Sequence, residues 1–383
     1  MRYLSLCSGI EAASAAWKGL GWKPIAFSEI EPFPCSVLAH HFPDVQNVGD
    51  MTQIDGRQYR GTVDLLVGGT PCQGFSIAGK RGGLFDVRSG LAMQFVRLVS
   101  EIKPRWFLWE NVPGAFSTAA GRDFGTFVRA LDGVGYHLAW RVLDAQFFGV
   151  PQRRRRIFLV GHSSDWRHPA AVLFEPGCLR RDSPTGGKKR QDVTQALTGC
   201  LGAGGADDNR AQAGFYVPEI VSQAMQGSEY HSRNCAPLTT RPYADNLYKE
   251  SQLIISQYED KARALTSEGY DASPCSDRGP TIIMRLREGK PGGGKGPLLS
   301  QDKSLTLATS NDQTLFYGMK VRRLTPLECE RLQGFPDGWT DVPHNGKPAS
   351  DSARYKALGN SMAVPVMRWI GERIAAVQAE MDK

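Results

Sequence analysis

The amino-acid sequence predicts an α/β fold, in which a mixed sheet has helices on both faces and is accompanied by a smaller, mainly β domain. Up to about residue 165, short apolar runs alternate with segments of helical periodicity, and turns containing Gly and Pro separate them. From residue 166 to about 318 the helical period is lost, and short apolar pairs recur among Gly, Ser, Thr, Asp and Pro. Helical periodicity then returns, so the second part interrupts the first.

The first turn has the spacing of a nucleotide-binding site. A strand, a helix and a second strand are predicted in turn, at residues 3–7, 11–20 and 24–28. Glu29 follows the second strand, twenty residues after Gly9, which is the Rossmann-like arrangement of a glycine turn and a ribose-binding acid. Asp50 is a third candidate contact. An ordinary turn with a surface acid has the same pattern, so the spacing alone leaves both interpretations open.

Residues 68–76, GGTPCQGFS, form the most distinctive turn. The apolar run 63–67 predicts a buried strand, and the two glycines with Pro71 end it. Cys72 therefore lies in a loop at the carboxyl end of a strand, where open α/β sheets bind ligands. At its ordinary pKa a cysteine is only about 3% thiolate at neutral pH, so a nucleophilic role requires activation, whereas a buried structural cysteine requires none. Residues 77–90, rich in glycine and charge, predict a mobile loop that closes over a substrate.

A second acid follows another strand. Helical spacing in residues 91–102 ends at Pro104, and the apolar residues 105–109 predict the next strand. Glu110 comes directly after it, again at a carboxyl end, although a capping or surface carboxylate has the same pattern. The alternation continues with a helix and a strand, at residues 124–131 and 136–143.

Four consecutive arginines, residues 153–156, run directly into another predicted strand. Because neighbours on a strand face opposite sides, Arg154 and Arg156 should point one way and Arg153 and Arg155 the other. One pair can then enter an active site, while the other meets solvent or phosphate.

Basic residues are concentrated in this region. Residues 151–190 hold ten Lys or Arg and three Asp or Glu, an excess that equals the net charge of +7 of the whole chain. The excess favours a surface that binds a polyanion. A solvated basic loop has the same composition.

Composition argues against several classes of protein. No apolar run approaches the roughly 18 residues of a membrane span, and the N-terminus predicts a strand and a helix rather than a signal peptide. The eight cysteines include no CxxC pair, so no zinc site, redox dithiol or other metal centre is expected. We expect reduced thiols and a cytoplasmic protein.

The interrupting segment contains a loose internal repeat. Leu-Thr pairs occur four times, at residues 197–198, 238–239, 265–266 and 305–306. Apolar pairs follow three of them, at residues 220–221, 254–255 and 282–283. This pattern predicts tandem β-hairpins in a separate domain, with a partly disordered insertion as the alternative.

Clear helix signals mark the return to the first domain. Thr325 is placed to cap a helix that Pro326 begins and Gly334 ends. A final helix carries one apolar face, which we expect to bury against the first domain, at Val366, Ile370, Ile374, Val377 and Met381. The predicted division is a catalytic domain of residues 1–165 completed by 340–383, and a target-recognition domain of residues 166–339.

Five blocks occur in order: LSLCSGIEAA, GGTPCQGFS, ENVPG, PQRRRRIFLVG, and the pair RRLTPLECERLQGFPDGW with YKALGNSMAVPV. Together they resemble the DNA cytosine-5 methyltransferases of bacteria and phages. The resemblance covers about residues 1–162 and 320–383. It does not cover the middle, which in that family selects the target sequence. The implied fold is the Rossmann-like sheet of methyltransferases that use S-adenosylmethionine.

The resemblance also implies a mechanism. Cys72 attacks ring carbon 6 of a cytosine that has left the DNA stack, and Glu110 contacts ring nitrogen 3 and favours its protonation. Arg154 and Arg156 hold the nucleotide and help to polarise the ring. Carbon 5 then takes the methyl group of S-adenosylmethionine, which leaves S-adenosylhomocysteine. Contacts with DNA are implied at Gln73, Ser76, Lys80, Arg88 and Gln152.

Cofactor contacts are implied by the same similarity. They fall on Cys7, Ser8, Gly9, Ile10, Glu29, Ile30, Asp50, Met51, Gly69, Pro71, Leu91, Asn360 and Ser361. Glu29 takes the ribose hydroxyls and Asp50 the adenine amine.

The first block departs from the family pattern Asp-Leu-Phe-x-Gly-x-Gly-Gly. Cys7 stands for the phenylalanine that packs on adenine, and Glu11 and Ala12 replace two glycines. Ile30 stands where a tryptophan often stacks on adenine. These changes imply looser packing of the cofactor.

Two alternatives share these blocks: methylation of cytosine in transfer RNA, and a catalytically idle regulator that binds nucleic acid. The long middle segment favours duplex DNA, because reading a sequence in the major groove needs an additional surface. Intact Cys72, Glu110, Arg154 and Arg156 argue against an idle protein. We therefore expect a monomer acting on double-stranded DNA, with no membrane partner and with a cognate restriction endonuclease as a candidate companion.

Overall fold

The computed structural model of the protein describes residues 1–71, 90–116, 121–174, 213–216, 282–288, 295–301, 303–310, 312–317 and 320–383. A mixed sheet organises this part of the chain. Its strands are β1 (Arg2–Leu6), β2 (Lys23–Ser28), β3 (Leu65–Gly68), β4 (Trp106–Asn111), β5 (His137–Asp144), β6 (Arg155–His162) and β7 (Ala213–Tyr216).

The strand order is β2-β1-β3-β4-β6-β5-β7. The strands β2, β1, β3 and β4 are parallel, whereas β6 runs antiparallel to both β4 and β5. The beginning of β6 therefore lies beside the carboxyl end of β4. This reversal places Glu110 and the arginine block at one edge of the sheet.

Helices cover both faces of the sheet, as the sequence predicts. They are α1 (Ala12–Trp17), α2 (Pro32–His41), α3 (Gly90–Ile102), α4 (Arg122–Gly133), α5 (Arg167–Leu173), α6 (Pro326–Gln333), α7 (Asp351–Asn360) and α8 (Val364–Met381). One apolar core holds side chains of α1, α2, α5 and α8, and the other holds side chains of α3 and α4.

The central strand β4 is buried on both sides. Alternation sends Trp106 and Leu108 into the first core, and Phe107 and Trp109 into the second. The strand is longer than predicted: Glu110 and Asn111 pair with Phe158 and Ile157 of β6 and so belong to β4 itself. Pairing with a distant antiparallel neighbour cannot be read from the local pattern.

A small antiparallel sheet accompanies the main one, in agreement with the predicted β character of the interrupting segment. Its strands are β8 (Ile282–Glu288), β9 (Lys295–Gln301), β10 (Gln313–Tyr317) and β11 (Lys320–Arg323), in the order β11-β10-β8-β9. Much of the predicted repeat lies outside the described residues. Strand β7 of the same segment pairs instead with β5 at the edge of the main sheet.

The first core also receives elements from the interrupting segment. Val172 and Leu173 of α5 are fully buried in it, as is Leu332 of α6. Ile283 of β8 and Leu315 of β10 reach the same core, so the small sheet packs directly on the main one.

The last helix closes this core. Val366, Ile370 and Ile374 of α8 are buried, as predicted, and Val377 is partly buried, whereas Met381 is exposed. The indole N–H of Trp17 on α1 donates to the carbonyl of Met367 at 2.8 Å. Across the described ranges, no helix has the length and apolarity needed to cross a membrane.

Candidate active site

The carboxyl ends of β1, β3 and β4 and the beginning of β6 meet at one edge of the main sheet. Gly69, directly after β3, lies against Glu110: a Cβ atom at this glycine would be 3.0 Å from Oε2 of Glu110. Only a glycine allows this approach without displacing the carboxylate.

Glu110 is almost completely buried, with 8% of its surface exposed. Nε of Arg156 lies 3.2 Å from its Oε1. Burial raises the pKa of Glu110, while the charges of Arg156 and Arg154 act in the opposite direction. A carboxyl group held in this way can keep a proton and deliver it to a ring nitrogen.

The arginine block alternates as predicted. Arg153 is exposed, whereas Arg154 is only 2% exposed and Arg156 lies beside Glu110. The guanidinium of Arg154, however, donates to backbone carbonyls, those of Gly359 at 3.0 Å and Ser361 at 2.6 Å.

The turn after β1 has an unusual backbone. Cys7, Gly9 and Glu11 all have positive φ, at 49°, 56° and 63°. The N–H of Gly9 donates to Oε2 of Glu29 at 2.7 Å. The other oxygen of Glu29 accepts from the N–H groups of Ile30 and Glu31, each at 2.8 Å. The predicted glycine turn and acid therefore meet.

A cleft opens beside this turn. Its lining brings together residues that the sequence separates widely, namely Cys7, Ser8, Gly9, Gly69, Glu110, Asn360 and Ser361. Six of these seven are among the predicted cofactor contacts, and the seventh is the predicted catalytic acid.

Comparison with protein families shows which family the chain belongs to. The family described as C-5 cytosine-specific DNA methylase matches residues 1–376. The chain belongs to this family.

Individual relatives of the methylase come from phages and bacteria. It is 34% identical to a protein of Escherichia phage P1 named DNA N-6-adenine-methyltransferase, over 97% of this chain but only 61% of that relative. It is 29% identical to the orphan methyltransferase M.SPRI of Bacillus phage SPR, over 97% of this chain and 96% of the relative. It is 28% identical to the type II methyltransferase M.HpaII of Haemophilus parainfluenzae, over 97% and 88%.

Solved structures agree on the fold. A DNA modification methyltransferase encoded within an E. coli prophage has a TM-score of 0.53 at 20% identity, covering 99% of both chains. The S. pombe Dnmt2 methyltransferase has a TM-score of 0.53 at 14% identity, covering 100% of both. At these identities the likeness concerns the fold alone.

The cleft fits the S-adenosylmethionine used by this methylase family. Glu29 adjoins the cleft through its hydrogen bond with Gly9 and has a carboxylate of the kind that binds ribose hydroxyls, while the lack of side chains at Gly9 and Gly69 allows a close approach. Ile30, beside Glu29, is 68% exposed and offers an apolar surface for a base. In the described part of the chain, no group of three or more His, Cys, Asp or Glu side chains could hold a metal ion.

The remaining cofactor predictions fall into different environments. The side chain of Ile10 is fully buried, so only its backbone can face a ligand. Asp50 caps a short 3₁₀ helix by accepting from the N–H of Thr52 at 2.8 Å, and Met51 lies 3.6 Å from the sulfur of Cys7. Leu91 is partly buried on α3, and Pro71 is exposed at the end of a described range.

Burial raises the pKa of the Cys7 thiol to about 12, assisted by the charges of Glu29 and Asp50. The thiol therefore stays neutral and acts as a small apolar group where the family has phenylalanine. Cys72, Gln73, Ser76, Lys80 and Arg88 lie outside the described residues.

Gln152, for which a DNA contact is predicted, lies in the interior of the described fold. Its side chain is fully buried, where Nε2 donates to the carbonyl of Leu332 at 2.8 Å and Oε1 accepts from the N–H of Leu307 at 3.2 Å. A glutamine in this position cannot reach DNA without leaving the core.

Sequence reasoning missed two residues that support the site. Asn111 donates to the carbonyl of Thr70 at 2.9 Å and so fixes the start of the Cys72 loop. Glu11 caps α1 by accepting from the N–H of Ser14 at 3.1 Å, and burial raises its pKa to about 7. The acid at the first position of the predicted helix, residues 11–20, was the available signal for this cap, and the observed helix begins one residue later.

Proposed function

We propose that the protein transfers a methyl group from S-adenosylmethionine to carbon 5 of cytosine within a specific double-stranded DNA sequence. The observation that supports this most directly is the buried Glu110, which is paired with Arg156 and lines the same cleft as six of the predicted cofactor contacts. The two neighbours of Glu110 on β4, Trp109 and Asn111, both donate hydrogen bonds to Thr70, two residues before Cys72.

The reaction requires a nucleophile, a proton donor and a cytosine that has been flipped out of the DNA stack. The thiolate of Cys72 forms a bond with carbon 6, and Glu110 gives a proton to nitrogen 3, which accepts the electron pair of the ring. S-adenosylmethionine supplies the methyl group that carbon 5 takes. Loss of the proton at carbon 5 and of the Cys72 sulfur, with return of the nitrogen 3 proton to Glu110, then restores the aromatic ring.

Arg156 supports this chemistry electrostatically. Its guanidinium lies beside the Glu110 carboxyl and therefore orients that group. Gly69 leaves the space in which the carboxyl, the base and the methyl donor meet.

We propose that the two-part organisation serves the two substrates. The main sheet holds the methyl donor and the reactive base, and the interrupting segment, with its small sheet, reads the DNA. Because α5 and α6 contribute to the main core, we assign both to the catalytic domain rather than to the recognition domain.

We further propose that the protein is a monomer that acts in the cytoplasm, where bacterial and phage DNA lies. A restriction endonuclease of matching specificity is the companion to be sought, since M.HpaII is a type II methyltransferase, whereas the SPR relative is named an orphan.

The test is base-resolution mapping of modified bases in DNA from a methylation-free bacterial host that expresses the chain. We expect 5-methylcytosine at one or a few defined sequences, and none in the Cys72→Ala variant. Methylation that persists undiminished in that variant contradicts the mechanism.

The name of the phage P1 relative suggests a second candidate, methylation of adenine N6. An exocyclic amine carries its own lone pair and needs no cysteine adduct. The same maps therefore separate the two: N6-methyladenine that is insensitive to Cys72→Ala supports the second candidate and contradicts the first.

A further inference from the structure

Three buried polar side chains, Gln152, Arg154 and Gln333, connect distant parts of the chain. Each is at most 2% exposed. They lie between the beginning of β6, the end of α6 and residues 358–361 at the end of α7. We call residues 358–361 the cleft wall, because Asn360 and Ser361 line the cofactor cleft.

Two of these side chains hold the cleft wall through its carbonyl groups. Arg154 Nη2 donates to the carbonyls of Gly359 at 3.0 Å and Ser361 at 2.6 Å. Gln333 Nε2 donates to the carbonyl of Leu358 at 2.5 Å and lies 3.4 Å from that of Ser361. The position of the wall therefore depends on hydrogen bonds made from behind it.

The segment that joins β9 to β10 is attached to the same place. The N–H of Ser304 donates to the carbonyl of Pro151 at 2.8 Å, and the carbonyl of Ser304 accepts from the N–H of Arg153 at 2.9 Å. Arg154 Nη1 donates to the carbonyl of Leu307 at 3.4 Å. One guanidinium thus contacts both the cleft wall and the small sheet's connection.

The packing at Gly359 leaves no room for a side chain. A Cβ atom at Gly359 would lie 2.2 Å from the carbonyl oxygen of Ala308 and 2.8 Å from the nitrogen of Thr309. Both are backbone atoms, so a side chain at residue 359 must push the wall away from the segment behind it.

Arg156 has different partners, since its Nε faces Glu110. We propose that the two arginines divide their work: Arg156 serves the catalytic acid, whereas Arg154 is a positioning residue that holds the cleft wall and thereby sets the affinity for an S-adenosyl nucleoside. The identity of this ligand rests on the proposed function. A planar guanidinium reaches three carbonyls in different directions, which an ammonium cannot do.

The test measures binding of S-adenosylhomocysteine by calorimetry, without DNA, beside steady-state kinetics on DNA. We expect Arg154→Lys to raise the Kd about tenfold or more, equivalent to about 1.4 kcal/mol, and to raise the KM for S-adenosylmethionine in parallel. Arg156→Lys should lower kcat and leave the Kd within about twofold.

A second pair of variants changes the wall without changing a charge. Gly359→Ala should also weaken S-adenosylhomocysteine binding, whereas Gly133→Ala, whose Cβ atom meets nothing within 4 Å, should not. Cooperative urea unfolding of each variant shows that it is folded, and Gly359→Ala supplies the answer if Arg154→Lys is unfolded.

The outcomes separate this inference from the proposed function. Unchanged S-adenosylhomocysteine affinity in both folded variants, with turnover lost in Arg154→Lys as in Arg156→Lys, overturns the division of work. A protein that binds S-adenosylhomocysteine with the expected pattern but leaves DNA unmodified overturns the proposed function alone. No binding by the unaltered protein overturns both.

Discussion

Glu110 combines two properties that a proton donor needs, a raised pKa and a fixed direction. Burial raises its pKa, and Arg156 holds one carboxyl oxygen. The adjoining Gly69 leaves the other oxygen accessible, because a Cβ atom there would lie 3.0 Å from it. These features favour donation of a proton from Glu110 to a cytosine bound beside it.

Replacing this group should therefore change both the rate and its pH dependence. We expect Glu110→Gln to lower kcat by about 10²- to 10⁴-fold, the range typical of a lost general acid. In the unaltered enzyme the protonated fraction of Glu110 falls as pH rises through its raised pKa, so kcat should decline on the alkaline side. The variant should lack this decline.

The measurement is kcat against pH for both proteins. Glu380→Gln, which removes an exposed acid, is the matched control and should leave the profile unchanged. An identical alkaline decline in Glu110→Gln assigns the titration to another group and contradicts the role of Glu110.

Some of this site could be predicted residue by residue. The spacing of Gly9 and Glu29 predicted that they meet, and the structure shows a hydrogen bond of 2.7 Å between them. The burial of Gln152 could not be predicted, because its partners, Leu307 and Leu332, lie more than 150 residues away in the chain. Their contact depends on the tertiary fold.

At the scale of elements, α6 begins with a capping box, in which Thr325 and Glu328 each accept a hydrogen bond from the backbone of the other. Thr325 Oγ1 accepts from the N–H of Glu328 at 3.2 Å, and Glu328 Oε2 accepts from the N–H of Thr325 at 2.8 Å. Arg322 adds two contacts to the buried Glu328 carboxylate, at 2.8 and 2.7 Å. This reciprocal cap ties β11 to α6.

We expect Thr325→Ala to lower the free energy of unfolding by about 1 kcal/mol, because it removes the hydroxyl from this cap. Thr325→Ser keeps the hydroxyl and is the matched control. The measurement is urea-induced unfolding of the three proteins. Equal losses in both variants point to the lost methyl group and not to the cap.

Elements with strong local signals were predicted well. The cap and the terminal Gly334 of α6 could be read directly, and Gly334 has the expected positive φ of 80°. The carboxyl end of β4 was placed too early, because its last residues are held by β6 rather than by an apolar pattern. Strand β7 was missed, since it becomes a strand only by pairing with β5.

At the scale of the whole molecule, α1 and α8 bring distant parts of the chain together. Gly371 makes this contact possible: a Cβ atom there would lie 2.3 Å from Nε1 of Trp17. The same indole nitrogen donates to Met367. A side chain at residue 371 must therefore separate the two helices.

Gly371→Ala should lower the free energy of unfolding by roughly 1–3 kcal/mol, as overpacking of a close contact does. Gly19→Ala is the matched control, because its Cβ atom would meet nothing within 4 Å. Urea unfolding with tryptophan fluorescence measures both. An unchanged stability in Gly371→Ala contradicts the tight packing of α1 on α8.

The α/β class, the two-faced sheet and the return of the last helix could all be predicted, because each depends on periodicity or on glycine and proline. The apolar face of α8 predicted that this helix packs against the first domain, and in the structure it packs against α1. The direction of β6 was not predicted, since a strand's own sequence does not state which way its neighbour runs.

During synthesis, every described strand of both sheets leaves the ribosome before α8, which begins at Val364. The hydrogen bond from Trp17 to the carbonyl of Met367 cannot form until this residue, 350 positions later in the chain, has been synthesised. Until residue 374 has emerged, part of one apolar face of the main sheet has no cover, so a chain still being translated is exposed to aggregation there. Folding of the catalytic domain is thus completed only late in translation, which makes this face the natural place for a chaperone to act on the nascent chain.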